Sequence, residues 1–383
     1  TDANFVTWDS SWPVDRDLED VLATLGANDI LVLPERAEPY LVDSSEGFRA
    51  AGVGWVQGRN GLLPVANKYK GGRAARTWFA MARARRGILG LGPGAVIETT
   101  ASSWTMEPQI EDLGSVQPDG WTSIGRFWYD TAGTKKSELV GCQEKVLESD
   151  HARPYWGNFT MRGRDFGGIA YSAIVPYGAT LNTFERLNLS GAWRGFLDVP
   201  NGESGAIGLA GQYLISRCVV GTRNTSGVRV GSSPIMINSS SGGRVEHVYA
   251  GESRTGMATI WNSSGVHDWE NVDLRWNQGP SLNLEKCQSG FTFRMIGGSL
   301  YSDYQGNGGK SGRPSDQGNG GKLHITLNAQ VGSPVITLTG VDIDLGPDAG
   351  KLCIQGWGGS TATAGTITAT NPAGQPIAVR LYQ

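Results

Sequence analysis

A short pattern of apolar positions recurs along the second half of the chain: apolar, two residues, apolar, one residue, apolar. Its copies are Phe184/Leu187/Leu189, Ile215/Cys218/Val220, Val245/Val248/Ala250, Trp269/Val272/Leu274, Phe293/Ile296/Gly298 and Leu338/Val341/Ile343. Successive copies begin 31, 30, 24, 24 and 45 residues apart. Such spacing is typical of a solenoid in which each repeat is one coil and loops are inserted at fixed corners. The pattern predicts one elongated domain.

A second set of β-rich runs has similar spacing and supports the same interpretation. The runs 234–238, 259–262, 281–285, 324–328 and 352–355 each end in a residue that can form hydrogen bonds. Parallel strands lie about 4.8 Å apart, so amides repeated at one corner can stack as a ladder. We expect this of Asn238, Asn262, Asn328 and Gln355, with Glu285 as the departure.

The alternative all-β fold, an antiparallel sandwich, requires frequent tight hairpins, and their signals are scarce in this sequence. The sequence therefore predicts a right-handed, single-stranded parallel β-helix. Residues 14–26 add a predicted amphipathic helix, with Val14, Leu18, Val21, Leu22 and Leu25 on one face. An open solenoid end exposes core and unpaired strand edges, so we expect this helix to cap the amino-terminal end.

Four segments follow from these patterns. Residues 1–100 are predicted to form the cap helix and first coils, and 101–156 a loop-rich insertion beside them, because 102–136 shows no periodicity. Residues 157–356 are predicted to be the main parallel β-helix, with a glycine-rich loop at 305–321. Residues 357–383 are predicted to form a carboxy-terminal strand or cap.

Composition narrows the possible partners. The 56 glycines indicate many tight turns, and a formal net charge of −3 without a basic cluster argues against nucleic-acid binding. No apolar run is long enough to cross a membrane, so membrane insertion is not expected. The four cysteines and four histidines lack metal-ligand spacing, and no cofactor motif occurs, so no metal or cofactor is expected.

Acidic residues at equivalent positions of successive coils are the candidate catalytic groups. Glu246 and Glu270 fall at the same point of the repeat, with His247 beside the first as a candidate proton shuttle. Asp273 shares an outward position with Asp342, and Asp303 lies near the glycine-rich loop. Two carboxylates at such spacing can divide into acid and base or nucleophile, as glycoside hydrolysis requires. The alternative is that these are solvated charges on exposed strands.

Sugar binding requires aromatic faces and polar groups on the surface. Trp276, Tyr301 and Tyr304 are the candidate stacking residues, and Lys310 and Arg313 lie in the adjoining loop. Trp261 and Trp269 occupy predicted inward positions, which favours core packing for both.

Four segments resemble the β-helical minor tail proteins of phages that infect actinobacteria: 152–168 (ARPYWGNFTMRGRDFGG), 201–206 (NGESGA), 233–240 (SPIMINSS) and 302–310 (SDYQGNGGK). More broadly, the predicted asparagine ladder resembles the pectate-lyase-like β-helices. The resemblance implies a virion tail component, homotrimeric and extracellular, or a secreted protein if it is not viral, that recognises a host-surface polysaccharide. These are framework motifs without a catalytic signature, so no family active site is carried over.

Two other functions stay open at this point. A glycoside hydrolase or polysaccharide lyase would use the same elongated surface to cleave the glycan. A purely structural tail component would use neither the acidic nor the aromatic residues, because fold alone does not fix function.

Overall fold

The computed structural model describes residues 2–42, 54–58, 61–65, 79–99, 122–124, 127–129, 135–138, 144–149, 151–163, 171–176, 180–190, 211–221, 235–238, 240–251, 258–277, 280–302, 323–329, 333–345, 350–356 and 365–382. Within these residues the regular secondary structure is almost entirely β-strand, with long parallel sheets and one short helix. The prediction of an all-β fold is confirmed.

The elements, in chain order, are β1 Asn4–Thr7, α1 Leu18–Ala23, β2 Asp29–Leu33, β3 Tyr40–Val42, β4 Gly54–Gly58, β5 Gly61–Val65, β6 Phe79–Arg83, β7 Gly87–Gly90, β8 Val96–Thr99, β9 Thr122–Ile124, β10 Phe127–Tyr129, β11 Lys135–Glu138, β12 Glu144–Ser149, β13 Tyr155–Gly157, β14 Thr160–Gly163, β15 Tyr171–Pro176 and β16 Leu181–Glu185. They continue as β17 Asn188–Ser190, β18 Gln212–Ser216, β19 Val219–Gly221, β20 Met236–Asn238, β21 Gly242–Gly251, β22 Ala258–Trp261, β23 Val266–Asn277, β24 Leu282–Cys287, β25 Thr292–Ile296, β26 Ser299–Ser302, β27 Ile325–Ala329, β28 Val335–Thr339, β29 Asp342–Ile343, β30 Leu352–Gly356, β31 Thr366–Ala369 and β32 Val379–Tyr382.

An 18-stranded sheet consists of two parallel ladders side by side. The first ladder runs β1, β2, β7, β13, β16, β18, β21, β23, β25, β28 and β31, each strand parallel to the next. The second ladder runs β3, β8, β14, β17, β19, β21, β23, β26 and β29. The long strands β21 and β23 belong to both, so the two ladders meet at a bend within each of these strands.

The bend is made by one residue per coil with a left-handed backbone. The residues at this position are Asn158, Arg186, Arg217, His247, Asn271, Gly297 and Gly340. Only glycine adopts this conformation freely, and other residues pay about 1 kcal/mol or more. The repetition of the same bend over seven coils therefore reflects a requirement of the fold, and the backbone of His247 is fixed by that requirement.

A third ladder, six strands long, runs β20, β22, β24, β27, β30 and β32, also in parallel. A separate three-stranded parallel sheet is formed by β6, β12 and β15, from an earlier part of the chain. Among the described strands, antiparallel pairing joins only β4 to β5 and β9 to β10 to β11.

The apolar repeat of the sequence is the inward face of the first two ladders. Phe184, Ile215, Val245, Trp269 and Leu338 occupy one buried column, as the pattern predicts. The Phe293 copy is wrong by two residues, since Met295 pairs with both Trp269 and Leu338. Ile296, predicted to be inward, is instead 58% exposed.

The prediction that amide side chains stack along the third ladder is also wrong. Asn238 lies opposite Trp261, and Trp261 lies opposite Glu285, so Asn262 is one residue beyond the expected position. Gln355 lies opposite Thr326 and not opposite Asn328. The predicted run ended at Asn262, but that residue has a left-handed backbone at a bend and follows the strand instead of ending it.

Helix α1 is shorter than the predicted 14–26. Leu18, Val21, Leu22 and Leu25 are buried, whereas Val14 is 53% exposed and precedes the helix. The helix packs against β3 and β6. The apolar face is thus formed by one and a half turns of helix, and the residues before it are extended or turn.

A buried chain of hydrogen bonds connects coils of the first ladder. The indole Nε1 of Trp269 donates to Tyr213 Oη over 3.2 Å, and Tyr213 Oη lies 2.8 Å from His267 Nδ1. His267 Nε2 lies 3.1 Å from the carbonyl oxygen of Ser264, which can only accept. The proton therefore resides on Nε2, and Nδ1 accepts from the tyrosine. Each polar atom of this buried cluster has one defined role.

The coil between Tyr213 and His267 leaves room for this chain. Tyr213 pairs with Gly243, and Gly243 pairs with His267. A Cβ on Gly243 would lie 2.4 Å from Cδ1 of the Tyr213 ring. The tyrosine thus passes over the glycine to reach the next coil.

Candidate functional site

The two candidate glutamates of the first ladder lie directly opposite each other on adjacent strands. Glu246 on β21 pairs with Glu270 on β23. Neighbouring parallel strands are about 4.8 Å apart, so both carboxylates leave the sheet at that spacing. The prediction that they share one position of consecutive coils is confirmed.

Arg244 lies between the two carboxylates, a contact that sequence reasoning missed. Its Nε lies 3.0 Å from Glu246 Oε2, and its Nη2 lies 2.9 Å from Glu270 Oε2. The Ser216 hydroxyl also donates to Glu246 Oε1 over 3.0 Å. The guanidinium offsets the mutual repulsion of the two carboxylates. The pair is held in place, with Glu270 the more exposed of the two.

The neighbouring residues of this face are charged as well. Arg294 on β25 makes two bonds to Asp268 on β23, at 2.5 and 2.8 Å. His247 is exposed at the bend, and no hydrogen bond between described residues joins it to either glutamate. The first-ladder face is therefore a set of paired charges, with His247 at its margin.

A second cluster lies on the outer face of the second ladder and combines two predicted site residues. Asp273 on β23 pairs with Ser299 on β26, which in turn pairs with Asp342 on β29. The Ser299 hydroxyl is buried and donates to Asp273 Oδ1 over 2.5 Å. Asp273 and Asp342 therefore share one column, as predicted, with a serine between them.

Arg275 and Tyr301 complete this cluster, which we call the second-ladder site (Asp273, Arg275, Ser299, Tyr301 and Asp342). Arg275 Nε donates to Ser299 Oγ over 2.7 Å, and its Nη2 lies 3.3 Å from Asp273 Oδ1. The guanidinium carbon lies 4.7 Å from the centre of the Tyr301 ring. Tyr301 donates to Asp342 Oδ2 over 2.6 Å. Asp273 and Arg275 remain 38% and 34% exposed.

The environment of Tyr301 fixes its chemical role. The hydrogen bond to the Asp342 carboxylate raises the pKa of the phenol above its usual value, and partial burial adds to this. The phenol is therefore protonated at neutral pH, and its one hydrogen is donated to Asp342. As a general base it would be ineffective there.

Several predicted residues lie outside the described part of the chain. These are Asp303, Tyr304, Lys310 and Arg313, together with the side chain of Trp276 on β23. Trp269 is buried, as predicted. Trp261 is partly exposed, so its predicted inward position is wrong. Ile260 beside it is fully buried, and successive strand residues alternate between the two faces.

Arg244, Arg275 and Ser299 are the site residues that the sequence patterns did not single out. Each lies two residues from a candidate: Arg244 from Glu246, Arg275 from Asp273, and Ser299 from Tyr301. In a strand this spacing places side chains on the same face. The alternation of side chains between the two faces of a strand was the available signal. It does not reveal which coil supplies the residue that each side chain contacts.

The described residues contain no group of three or more histidine, cysteine, aspartate or glutamate side chains that could hold a metal ion. In the same part of the chain, the only helix is too short to span a bilayer. Comparisons of the chain with protein-family models, with curated proteins and with solved structures find no match.

Proposed function

We propose that the parallel ladders form a right-handed, single-stranded β-helix whose amino-terminal end is capped by α1. Each rung pairs in parallel with the next, so the chain must cross over between rungs, and such crossovers are right-handed in about 98% of cases. The capping role is supported by the buried apolar face of α1 and its packing on β3 and β6.

The function proposed for this β-helix is recognition of a bacterial cell-surface polysaccharide, as a minor tail or tail-spike-like protein of a phage. The observation that carries it is the second-ladder site, where three consecutive strands present Asp273 and Arg275, then Ser299 and Tyr301, then Asp342. A linear polymer that lies along the stack can contact these polar and aromatic groups in turn. Hydroxyl-rich sugars need such donors and acceptors together with an aromatic ring.

The resemblance to actinobacterial phage tail proteins extends this proposal to location and assembly. The protein would act in the virion tail, outside the cell, as a homotrimer of 40.8 kDa chains. Light scattering that shows a stable monomer at micromolar concentration would contradict the trimer and leave the binding proposal in place.

The binding proposal predicts retention of envelope polysaccharide that depends on Arg275. Cosedimentation with arabinogalactan and capsular polysaccharide from actinobacteria should retain the protein. Arg275→Met should weaken retention about tenfold, since arginine and tyrosine often dominate binding surfaces. Arg294→Met is the matched control, because Arg294 is also exposed and paired with an aspartate, but on the first ladder.

Thermal unfolding of both variants checks that they fold. No retention of any envelope polysaccharide by the parent protein would refute the proposed function. Equal retention by the Arg275→Met variant and the parent would place the binding surface elsewhere in the chain.

The alternative function is cleavage of the glycan by a glycoside hydrolase or polysaccharide lyase, and the Glu246/Glu270 register favours it. Carboxylates of retaining glycosidases lie about 5 Å apart, close to the strand spacing. His247 would serve as a proton shuttle in that case. A purely structural tail component would neither retain nor cleave glycan.

If the protein cleaves glycan, Glu246→Gln and Glu270→Gln should each lower the rate about a hundredfold or more, the usual scale of general acid–base catalysis. The release of reducing or unsaturated ends measures the rate, and Asp268→Asn on the same face is the control. Full activity of both glutamine variants would move the site to Asp273 or to Asp303. Retention without any release of ends would leave the two glutamates as paired surface charges.

A further inference from the structure

The outer face of the third ladder carries a partly exposed aromatic ring that the second-ladder site does not use. Trp261 ends β22 and is partly exposed, while its neighbour Ile260 is buried. In the adjacent coils it lies opposite Asn238 and Glu285. The indole therefore faces outward from the second strand of the ladder.

A lysine of the next coil lies over this ring. The ammonium nitrogen of Lys286 is 4.6 Å from the centre of the Trp261 ring. Lys286 forms no salt bridge with a described carboxylate, whereas Arg244, Arg275 and Arg294 all do. The indole face attracts the ammonium, and among the described residues its charge has no anionic partner.

Amide groups of the same two coils form hydrogen bonds at the bend beside this pair. Gln288 Nε2 donates to Asn262 Oδ1 over 2.8 Å and to the Lys286 carbonyl over 3.0 Å. The Gln288 bonds hold the bend at which Asn262 and Lys286 both have left-handed backbones. The lysine thus projects from a bend that its neighbours keep in one conformation.

The adjoining strand residues are tied together in the same way. Asn283 Nδ2 lies 3.3 Å from Glu285 Oε2, and the Thr326 hydroxyl donates to Asn283 Oδ1 over 2.6 Å. These bonds link β24 to β27 and hold the Glu285 carboxylate beside the strand. Its remaining lone pairs can accept from hydroxyl groups.

We propose that Trp261 and Lys286 form a subsite for an acidic sugar, one that carries a carboxylate on a pyranose ring. The Lys286 ammonium pairs with the carboxylate and moves off the indole face, the apolar face of the pyranose stacks on the indole in its place, and ring hydroxyls donate to Glu285. The subsite deepens the proposed polysaccharide recognition and rests on it, and it lies on a different ladder from Arg275 and Tyr301.

The test compares one polysaccharide with and without its carboxylates. The envelope polysaccharide that the protein retains is treated with carbodiimide and borohydride, which reduces each carboxylate to a hydroxymethyl group. Binding of the native and reduced polymers is measured for the parent, Lys286→Met, Trp261→Ala and the control Lys351→Met. Lys351 is exposed and precedes β30, at the opposite end of the strands of this ladder.

Reduction of the polymer should weaken binding to the parent and to Lys351→Met about tenfold, an effect of one ion pair in a partly desolvated site. Lys286→Met should bind both polymers equally, at the weaker level. Trp261→Ala should weaken both. Equal binding of native and reduced polymers by the parent, or a preference that survives in Lys286→Met, would overturn the subsite while the proposed function stands.

A second arm decides the subsite if no envelope polysaccharide is retained. Calorimetric titration with alginate, polygalacturonate and hyaluronan, against neutral dextran, tests acidic sugars directly. Binding of a uronate polymer that Lys286→Met abolishes would support the subsite despite failure of the proposed function. Absence of any binding that depends on Lys286 would overturn both.

Discussion

Gly243→Ala should destabilise the protein by about 2 kcal/mol, the usual cost of forcing extra volume into a packed core. The added Cβ would lie 2.4 Å from the Tyr213 ring. The ring cannot move away, because its hydroxyl is bonded to both His267 and Trp269 and it is buried. Denaturant unfolding monitored by circular dichroism measures the change.

Gly221→Ala is the matched control for this prediction. Gly221 also lies in a strand of the stack, β19, and an added Cβ there meets nothing within 4 Å. In a Tyr213→Ala background, the cost of Gly243→Ala should largely disappear, since the two changes share one contact. Equal stabilities of the Gly243→Ala and Gly221→Ala variants would show that Tyr213 does not pass over Gly243.

Acidification should remove about 3 kcal/mol of stability through His267. Burial lowers the pKa of His267 to about 4, against about 6.5 in the unfolded chain. Between these values the unfolded state binds more protons than the folded state. The contribution of the neutral histidine is therefore complete above about pH 6.5 and is lost as the pH falls towards 4.

The physical cause lies in the hydrogen-bond chain. A proton on Nδ1 would remove the acceptor that receives the Tyr213 hydroxyl, and it would place a positive charge in a buried site. The negative charge of Asp268, the next residue in the sequence, raises the pKa of His267 and offsets the effect of burial only in part.

Urea unfolding from pH 7.5 to 4 tests this, with His267→Gln as the comparison. Glutamine can still accept from Tyr213 and donate to Ser264, so the variant should fold. Between pH 7.5 and 4 its free energy of unfolding should fall by about 3 kcal/mol less than that of the parent. Carboxylates that titrate in the same range are common to both proteins and cancel in the difference. Identical pH profiles of the two proteins would contradict a buried, neutral His267.

The sequence predicts the core columns well because burial repeats every second residue in a strand. The column that contains Ile215, Val245 and Trp269 has the predicted register. The same periodicity explains the error at Phe293, since a shift of two residues keeps the same face buried. The two glycines that follow, Gly297 and Gly298, form the bend of this coil. Because they have no side chains, the sequence pattern does not mark the position of the bend.

The errors in the third ladder have a different physical cause. Asn262 lies at a bend directly after β22, and Lys286 lies at the equivalent bend within β24. A left-handed backbone leaves no hydrophobic signature. The sequence pattern places Trp261 at an inward position, whereas its alternation with the buried Ile260 places it outside.

For the candidate sites, the sequence could predict only which residues align on successive coils. That Glu246 and Glu270 align follows from the 24-residue repeat. The insertion of Arg244 between them, and the bond from Tyr301 to Asp342, depend on side-chain conformations across coils. Asp342 lies 41 residues after Tyr301 in the sequence, and no local pattern specifies that contact.

A structure of the protein in complex with the envelope polysaccharide that it retains would test the central claim most directly. The account predicts a glycan chain along the stack of coils, with sugar hydroxyls or carboxylates within hydrogen-bond distance of Arg275 and Tyr301 on adjacent strands. A glycan bound away from the outer faces of the ladders, with Arg275 and Tyr301 making only the contacts they make in the free protein, would contradict it.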